Sequence, residues 1–170
     1  MKKITYAILI LIIILASIQF GFNSKEDSSN SGVATASVLK IGDTIPTYEI
    51  KDQFEKIHVM SPDSQTIFVA GDMDSYKILR DYLITKEEGF LKANKANYLA
   101  DITGMPSLVS EYIALPKMKE YTFSILLLSE AQTSSFTTKT DILTAYILRD
   151  GKVSDIKFIK DAAELDLVFK

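Results

Sequence analysis

The stretch Thr66-Ile67-Phe68-Val69-Ala70-Gly71-Asp72 decides the fold of this 170-residue chain. Its first five residues form an apolar run without polar alternation, which is typical of a strand buried on both faces of a sheet. Asp74 or Ser75 can then cap a helix, because apolar residues recur with helical spacing from Tyr76 to about Leu91. The stretch therefore predicts a central β-strand followed directly by a helix.

Other elements are predicted on both sides of this unit. Two short alternating runs around residues 48–59 predict a β-hairpin before the central strand. Strands are predicted at residues 98–102 and 123–128, with a helix between them that starts at Ser107 and ends at Pro116. The Asp150-Gly151 pair lies between two β runs and predicts a second hairpin, and a last helix covers residues 162–169. The order β-hairpin, then β-α-β-α-β-β-α, indicates an α/β fold with right-handed crossovers.

The first 37 residues are predicted to form a targeting segment and a spacer. Lys2 and Lys3 precede a segment that starts at Ile4, ends at Phe22 and carries no charge. A positive start followed by an apolar stretch is typical of a signal peptide, and this stretch nearly reaches the length of a membrane-spanning helix. We expect residues 1–23 to be either a signal peptide or a membrane anchor, residues 24–37 a flexible spacer and residues 38–170 the folded domain. The lysines place this domain outside the cytoplasm, in the periplasm.

Composition excludes several classes of function. The net charge is −3 and no basic run is present, so nucleic-acid binding is not expected. The sequence contains no cysteine, which excludes disulfides, iron–sulfur clusters, thiolate zinc sites and cysteine nucleophiles. His58 is the single histidine and has no second histidine or cysteine with which to form a catalytic zinc site, so we expect a surface or half-buried strand residue.

Two motifs near the start of the domain resemble a known superfamily. Gly42-Asp43-Thr44-Ile45-Pro46, followed by Asp52-Gln53, is similar to the start of peroxiredoxin-type and related thioredoxin-like domains. This resemblance implies a three-layer α/β/α sandwich with an N-terminal β-hairpin. In those families a CxxC motif or a peroxidatic cysteine begins the helix after the first central strand, where the helix N-terminus activates the thiol.

Both redox-defining features of that superfamily are missing here. Residues 71–76 occupy the place of the reactive cysteine and contain none. Residues 121–124 stand where the resemblance places a cis-proline before the third strand, and they contain no proline. The resemblance thus implies the fold but excludes thiol oxidoreductase activity.

A narrower resemblance covers most of the domain. Asp72-Met73-Asp74, residues 98–106 and residues 114–118 are similar to a group of exported, cysteine-poor bacterial proteins without an assigned function. Some members of that group are described as FAD- or FMN-containing dehydrogenases. This sequence has no GxGxxG motif after a strand and no histidine or cysteine tether for a flavin, so no flavin is expected.

Three carboxylates are candidate ligands for a metal. Asp72 and Asp101 each follow an apolar strand, and Asp74 lies beside the first of them, so all three are expected near the carboxyl edge of the sheet. Oxygen ligands of this kind suit Mg²⁺ or Ca²⁺. The pattern Asp72-Met73-Asp74-Ser75 also resembles the nucleophile motif of haloacid-dehalogenase-type phosphatases. The alternative is structural, with Asp74 capping a helix and Asp101 capping a turn.

Four further residues are candidates for a partner surface. Met105, Tyr112, Met118 and Tyr121 lie near the same predicted edge and could form a groove for a peptide or for another envelope protein. The alternative is that this segment simply packs on the core. The leading hypothesis is therefore an exported, redox-inactive binding or scaffolding domain. The alternative hypothesis is a metal-dependent hydrolase that uses Asp72, Asp74 and Asp101.

Overall fold

The computed structural model describes residues 37–60 and 63–169. The predicted signal peptide or anchor at residues 1–23, and the predicted spacer up to residue 36, lie outside the described residues. No helix in the described part of the chain is long and apolar enough to cross a membrane.

Seven strands are present in the described residues: β1 (Glu49–Lys51), β2 (Ile57–Val59), β3 (Thr66–Ala70), β4 (Ala96–Asp101), β5 (Leu126–Leu128), β6 (Leu143–Arg149) and β7 (Lys152–Ile159). The α-helices in the same residues are α1 (Met73–Leu83), α2 (Phe90–Ala93), α3 (Ser107–Val109), α4 (Leu115–Met118), α5 (Glu130–Thr133) and α6 (Ala162–Val168). A π-helical turn, Ser110–Ala114, joins α3 to α4.

A five-stranded sheet in the order β5-β4-β3-β6-β7 forms the centre of the domain. β3 pairs in parallel with β4 and antiparallel with β6. All five residues of β3 are buried, as the apolar run predicts for a strand covered on both faces. β1 and β2 form a separate antiparallel pair. The domain is therefore a mixed α/β fold with β3 at its centre.

The two faces of this sheet are covered differently. One face, which includes Phe68 and Tyr98, packs against apolar residues of α1 and α6 such as Leu79 and Leu165. The opposite face is covered mainly by non-helical chain, and the covering residues are Leu39, Ile50, Met60 and Phe136. The segment between β5 and β6 contains only the short helix α5, so the second layer is built from the N-terminal segment and the β1–β2 pair.

Three predicted boundaries differ from the structure. The first helix ends at Leu83 rather than near Leu91, because the chain turns before Gly89, which has a φ of +85°. The third strand is confined to β5. The predicted helix stop at Pro116 is wrong, since Pro116 lies in the first turn of α4, where a missing backbone N–H costs little.

Candidate functional site

A small cleft opens at the carboxyl ends of β3 and β4, where α1 begins. Ala70 and Ala100 are among its lining residues, and its volume, including space open to solvent, is about 250 Å³. Two of the predicted carboxylates and two of the predicted partner-surface residues line it together: Asp72, Asp101, Met105 and Met118. Met73 and Tyr76 complete the apolar part of the lining. The carboxyl edge of the sheet is thus the place where the two sets of candidates meet.

Asp72 holds the first turn of α1 and the loop before β6. Its Oδ1 accepts a hydrogen bond from the Ser75 N–H at 2.8 Å, and its Oδ2 accepts one from the Asp141 N–H at 2.8 Å. Burial raises the pKa of Asp72, but these hydrogen bonds outweigh burial and hold the pKa below its usual value. Both carboxylate oxygens are therefore engaged in structural bonds.

Asp74 and Asp101 are also engaged locally. Asp74 is 61% exposed and forms an ion pair with Lys77 at 2.7 Å. Asp101 Oδ1 accepts hydrogen bonds from the backbone N–H and the hydroxyl of Thr103, at 2.9 and 2.7 Å. Within the described ranges, no group of three or more acidic or histidine side chains is arranged to hold a metal ion. The geometry does not favour the metal-dependent hydrolase, and Asp72 rather than Asp74 caps α1.

The loop before β6 closes one side of this region. A Cβ atom added to Gly71 would lie 2.6 Å from Thr138 Cβ, which is closer than side-chain atoms approach each other. Thr138 therefore lies close to Gly71, and the Asp141 N–H donates a hydrogen bond to Asp72, so both ends of the segment 138–141 contact the start of α1. Asp141 itself has a φ of +59°. Residues of the loop 138–141 therefore contact the residues at which α1 begins.

A tyrosine cluster includes Tyr76, which lines the cleft. The Tyr98 hydroxyl is fully buried and donates a hydrogen bond to the Tyr76 carbonyl oxygen at 2.8 Å. Burial, reinforced by the neighbouring Tyr121, raises the pKa of Tyr76. Tyr121 stacks on Phe123 with ring centroids 5.2 Å apart. Tyr121 is therefore half-buried and packs on Phe123.

The sequence singles out Asp52 and Gln53 only through the resemblance to thioredoxin-like domains. In the structure, Gln53 contacts Met118, which lines the cleft. Gln53 is 1% exposed, and its amide nitrogen donates to the carbonyl oxygens of Met118 and Phe123 at 3.3 and 2.8 Å. Its Oε1 accepts from the Ile125 N–H at 2.8 Å. Gln53 therefore links the β1–β2 turn by hydrogen bonds to Met118, which lines the cleft, and to the chain that follows it.

Asp52 organises the same turn. It is 2% exposed, and its Oδ1 accepts hydrogen bonds from the N–H groups of Phe54 and Lys56. Its Oδ2 lies 2.7 Å from Nε2 of His58, whose side chain is 27% exposed on β2. Burial raises the pKa of Asp52, but the His58 bond and the two backbone bonds outweigh it, and the pKa falls below its usual value.

The segment that connects the two methionines of the cleft exposes a row of apolar side chains. Leu108, Val109, Tyr112 and Ile113 are 70%, 39%, 72% and 65% exposed, and we call them the Leu108–Ile113 surface. They lie on α3 and the π-helical turn, and Met105 and Met118 at the two ends of the segment reach into the cleft. Of the four predicted partner-surface residues, Tyr112 is the one that the structure presents to solvent.

No protein-family model and no curated protein sequence matches this chain. Solved structures do match. A candidate protein disulfide isomerase from Bacteroides thetaiotaomicron matches with a TM-score of 0.53 at 14% identity, over 79% of this chain and 89% of that one. A candidate thiol:disulfide interchange protein DsbE from Chlorobium tepidum matches with a TM-score of 0.50 at 12% identity, over 76% of this chain and 96% of that one. Identities this low show a shared fold alone.

Proposed function

From a thioredoxin-like fold in which the sequence encodes no cysteine, we propose that this protein is an exported, redox-inactive domain that binds another protein of the cell envelope. The observation that carries the proposal is the Leu108–Ile113 surface. Four large apolar side chains stand exposed on one short segment beside the cleft at the helix start. Contiguous exposed apolar side chains of this kind mark interaction sites in soluble domains.

The chemistry of the surface favours a protein partner. Tyr112 supplies a large rigid ring with a polar tip, a residue type that is enriched in protein interfaces, and Leu108 and Ile113 supply apolar area beside it. Glu111 is exposed within the same turn, which sets a charge at the border of the apolar row. An apolar centre with a polar border is the usual composition of a protein–protein interface.

Export rests on the sequence of residues 1–23. Under this proposal that segment is either a signal peptide or a single apolar membrane helix, and residues 24–37 are a spacer that separates it from the domain. The domain then works in the periplasm, where a thioredoxin-like scaffold without thiols is unaffected by the oxidising environment.

Site-directed photo-cross-linking in the envelope fraction tests the proposal. A photoreactive residue in place of Tyr112 is expected to capture one defined protein partner. The same residue in place of Leu167, which is 64% exposed on α6, is the matched control and captures none. If positions 112 and 167 give the same products, the Leu108–Ile113 surface is not the binding site.

The identified partner is then purified and titrated with full-length protein. Leu108→Ser combined with Ile113→Ser should weaken binding at least about tenfold, because two apolar contacts are lost. Ile84→Ser removes an apolar side chain of similar exposure, 58%, outside the surface and should leave affinity unchanged. Equal affinities for all three proteins would contradict the proposal.

A further inference from the structure

The outer edge of β2 includes no residue of the Leu108–Ile113 surface, and its backbone groups are arranged differently from those of the other strand edges. The Asp52 N–H donates to the Lys56 carbonyl oxygen and the Met60 N–H donates to the Tyr48 carbonyl oxygen. In an antiparallel pair every second residue bonds to its neighbour, so His58 bonds to β1 while Ile57 and Val59 do not. The backbone N–H and C=O groups of Ile57 and Val59 therefore point away from β1.

The side chains on this edge are apolar and exposed. Ile57 is 57% exposed and Val59 is 59% exposed, and they lie on the same face of the strand. Phe54, at the adjoining turn, is 51% exposed. An open strand edge with β-branched side chains is a template for pairing with another strand.

The other edges in the described part of the chain are protected. The N-terminal segment covers the start of β7, where Gly42 N–H donates to Val153 C=O and Val153 N–H donates to Asp43 C=O. Beyond that point β7 presents the charged residues Asp155 and Lys157. The outer edge of β5 is covered by the chain around Asp52, which forms a β-bridge with Leu126. Charges and coverage are usual means of protecting an edge. β2 is as short as β5, but the backbone groups of Ile57 and Val59 bond to no other described residue, and these two side chains carry no charge.

We propose that β2 pairs antiparallel with β2 of a second copy of this chain, around a twofold axis at His58. In this register Ile57 lies opposite Val59 of the second copy, and the reverse pair forms by symmetry. The two pairs supply complementary N–H and C=O groups, because Ile57 and Val59 are the residues whose backbone groups point outward. A twofold interface must be complementary to itself, and this edge meets that condition.

The charges beside the edge fit the same register. On the exposed face, β1 places Glu49 beside Val59 and Lys51 beside Ile57. Each row across the dimer then runs Glu49, Val59, Ile57 and Lys51, with the last two from the second copy. Each row carries one charge of each sign, and the apolar pair lies between them. No like charges face each other directly across these rows, a juxtaposition that would be unfavourable.

Cysteine cross-linking tests the register, and the absence of native cysteine makes the result unambiguous. Full-length Ile57→Cys and Val59→Cys proteins are oxidised separately and as a mixture in detergent solution. Opposite residues of a bonded antiparallel pair have Cα atoms about 5.5 Å apart, which permits a disulfide. The same position in the two copies is about 8 Å apart, which does not. We expect a covalent dimer from the mixture and almost none from either protein alone.

Charge variants provide the second measurement, by sedimentation of full-length protein. Ile57→Lys with Val59→Lys sets like charges opposite each other and should weaken self-association at least about tenfold. Ile57→Lys with Val59→Glu sets opposite charges across the axis and should retain the dimer. The proposal is overturned if the cysteine mixture does not cross-link, if all three samples cross-link equally, or if the two charge variants self-associate equally.

Discussion

At the scale of single residues, one buried carboxylate closes the β1–β2 turn. Asp52 accepts bonds from two backbone N–H groups and from His58, and its pKa is lowered from the usual value of 3.8. A carboxyl group whose pKa is lower in the folded state stabilises the fold above its unfolded pKa. That stabilisation is lost as the pH falls through the folded pKa.

Asp52→Asn should therefore lower the free energy of unfolding by about 1–3 kcal/mol at pH 7, because an amide accepts these bonds less strongly. The difference from the native protein should begin to shrink as the pH falls below about 4 and should disappear only below the lowered pKa of Asp52, where the native carboxyl is protonated too. Urea unfolding at neutral and acid pH measures this difference in the free energy of unfolding. Asp74→Asn, at an exposed ion pair, is the control and should change stability by less than about 1 kcal/mol. A difference that is the same at every pH would contradict this assignment.

Gln53 should make a large contribution to the free energy of unfolding, because its side chain forms buried hydrogen bonds. Gln53→Leu keeps the volume but leaves the Ile125 N–H and the Phe123 carbonyl without their buried partner. We expect a loss of about 2–4 kcal/mol in the free energy of unfolding, since unsatisfied buried groups cost about 1–3 kcal/mol each. Gln65→Leu, on an exposed side chain, should change it by less than about 0.5 kcal/mol. Thermal unfolding measures the stability of both variants. Equal losses of stability would contradict the role assigned to Gln53.

The role of Asp52-Gln53 shows a limit of sequence reasoning at this scale. The pair was noticeable through its resemblance to other domains, but the bonds of Gln53 reach residues 65, 70 and 72 positions along the chain. No local pattern specifies such partners. Asp72 is different, because the Ser75 three residues later forms a capping box that sequence spacing can indicate.

At the scale of elements, the start of α1 depends on close backbone packing. Gly71→Ala should lower the free energy of unfolding by about 1–3 kcal/mol, because the added Cβ would overlap Thr138. Gly104→Ala is a matched control, since no atom lies within 4 Å of the position of its Cβ. Combining Gly71→Ala with Thr138→Gly should recover part of the loss. Chemical denaturation measures all three, and equal effects at positions 71 and 104 would show that the contact is unimportant.

Elements with a strong local signal were the ones that the sequence predicted well. The apolar run of β3 is confirmed, and so is the Asp150-Gly151 hairpin, whose two φ angles are +51° and +72°. The helical segment from Ser107 to Met118 was predicted less well. A π-helical turn precedes Pro116 there, and its apolar residues Tyr112 and Ile113 are exposed.

At the scale of the whole molecule, stability should be independent of redox conditions. The sequence contains no cysteine, so the domain is held by its two apolar clusters and not by cross-links. Unfolding midpoints with and without a thiol reductant should coincide, and insulin reduction should proceed at the uncatalysed rate. A shift in the midpoint or any catalysis of thiol exchange would contradict this prediction.

The overall order of strands and helices was predictable, while the covering of the second face was not. Local sequence patterns report which residues of one element are apolar: a continuous apolar run predicted β3, and the Asp150-Gly151 pair between two β runs predicted β6 and β7. It does not report which distant segment packs on a given face. Leu39 and Phe136 cover that face from loops and short elements without periodicity, so their place could be seen only in three dimensions.

The aromatic cluster at the C-terminal end of α6 has a consequence for the order of events during synthesis. Phe169 packs against Phe68, Tyr82 and Phe90, with ring centroids 5.2, 5.6 and 4.9 Å apart. β3 also needs β6, whose Ala145 pairs with Phe68. A nascent chain on the ribosome thus lacks both the neighbouring strand and the last ring until residue 169 has emerged. Complete folding is therefore expected only after the whole domain has been translated.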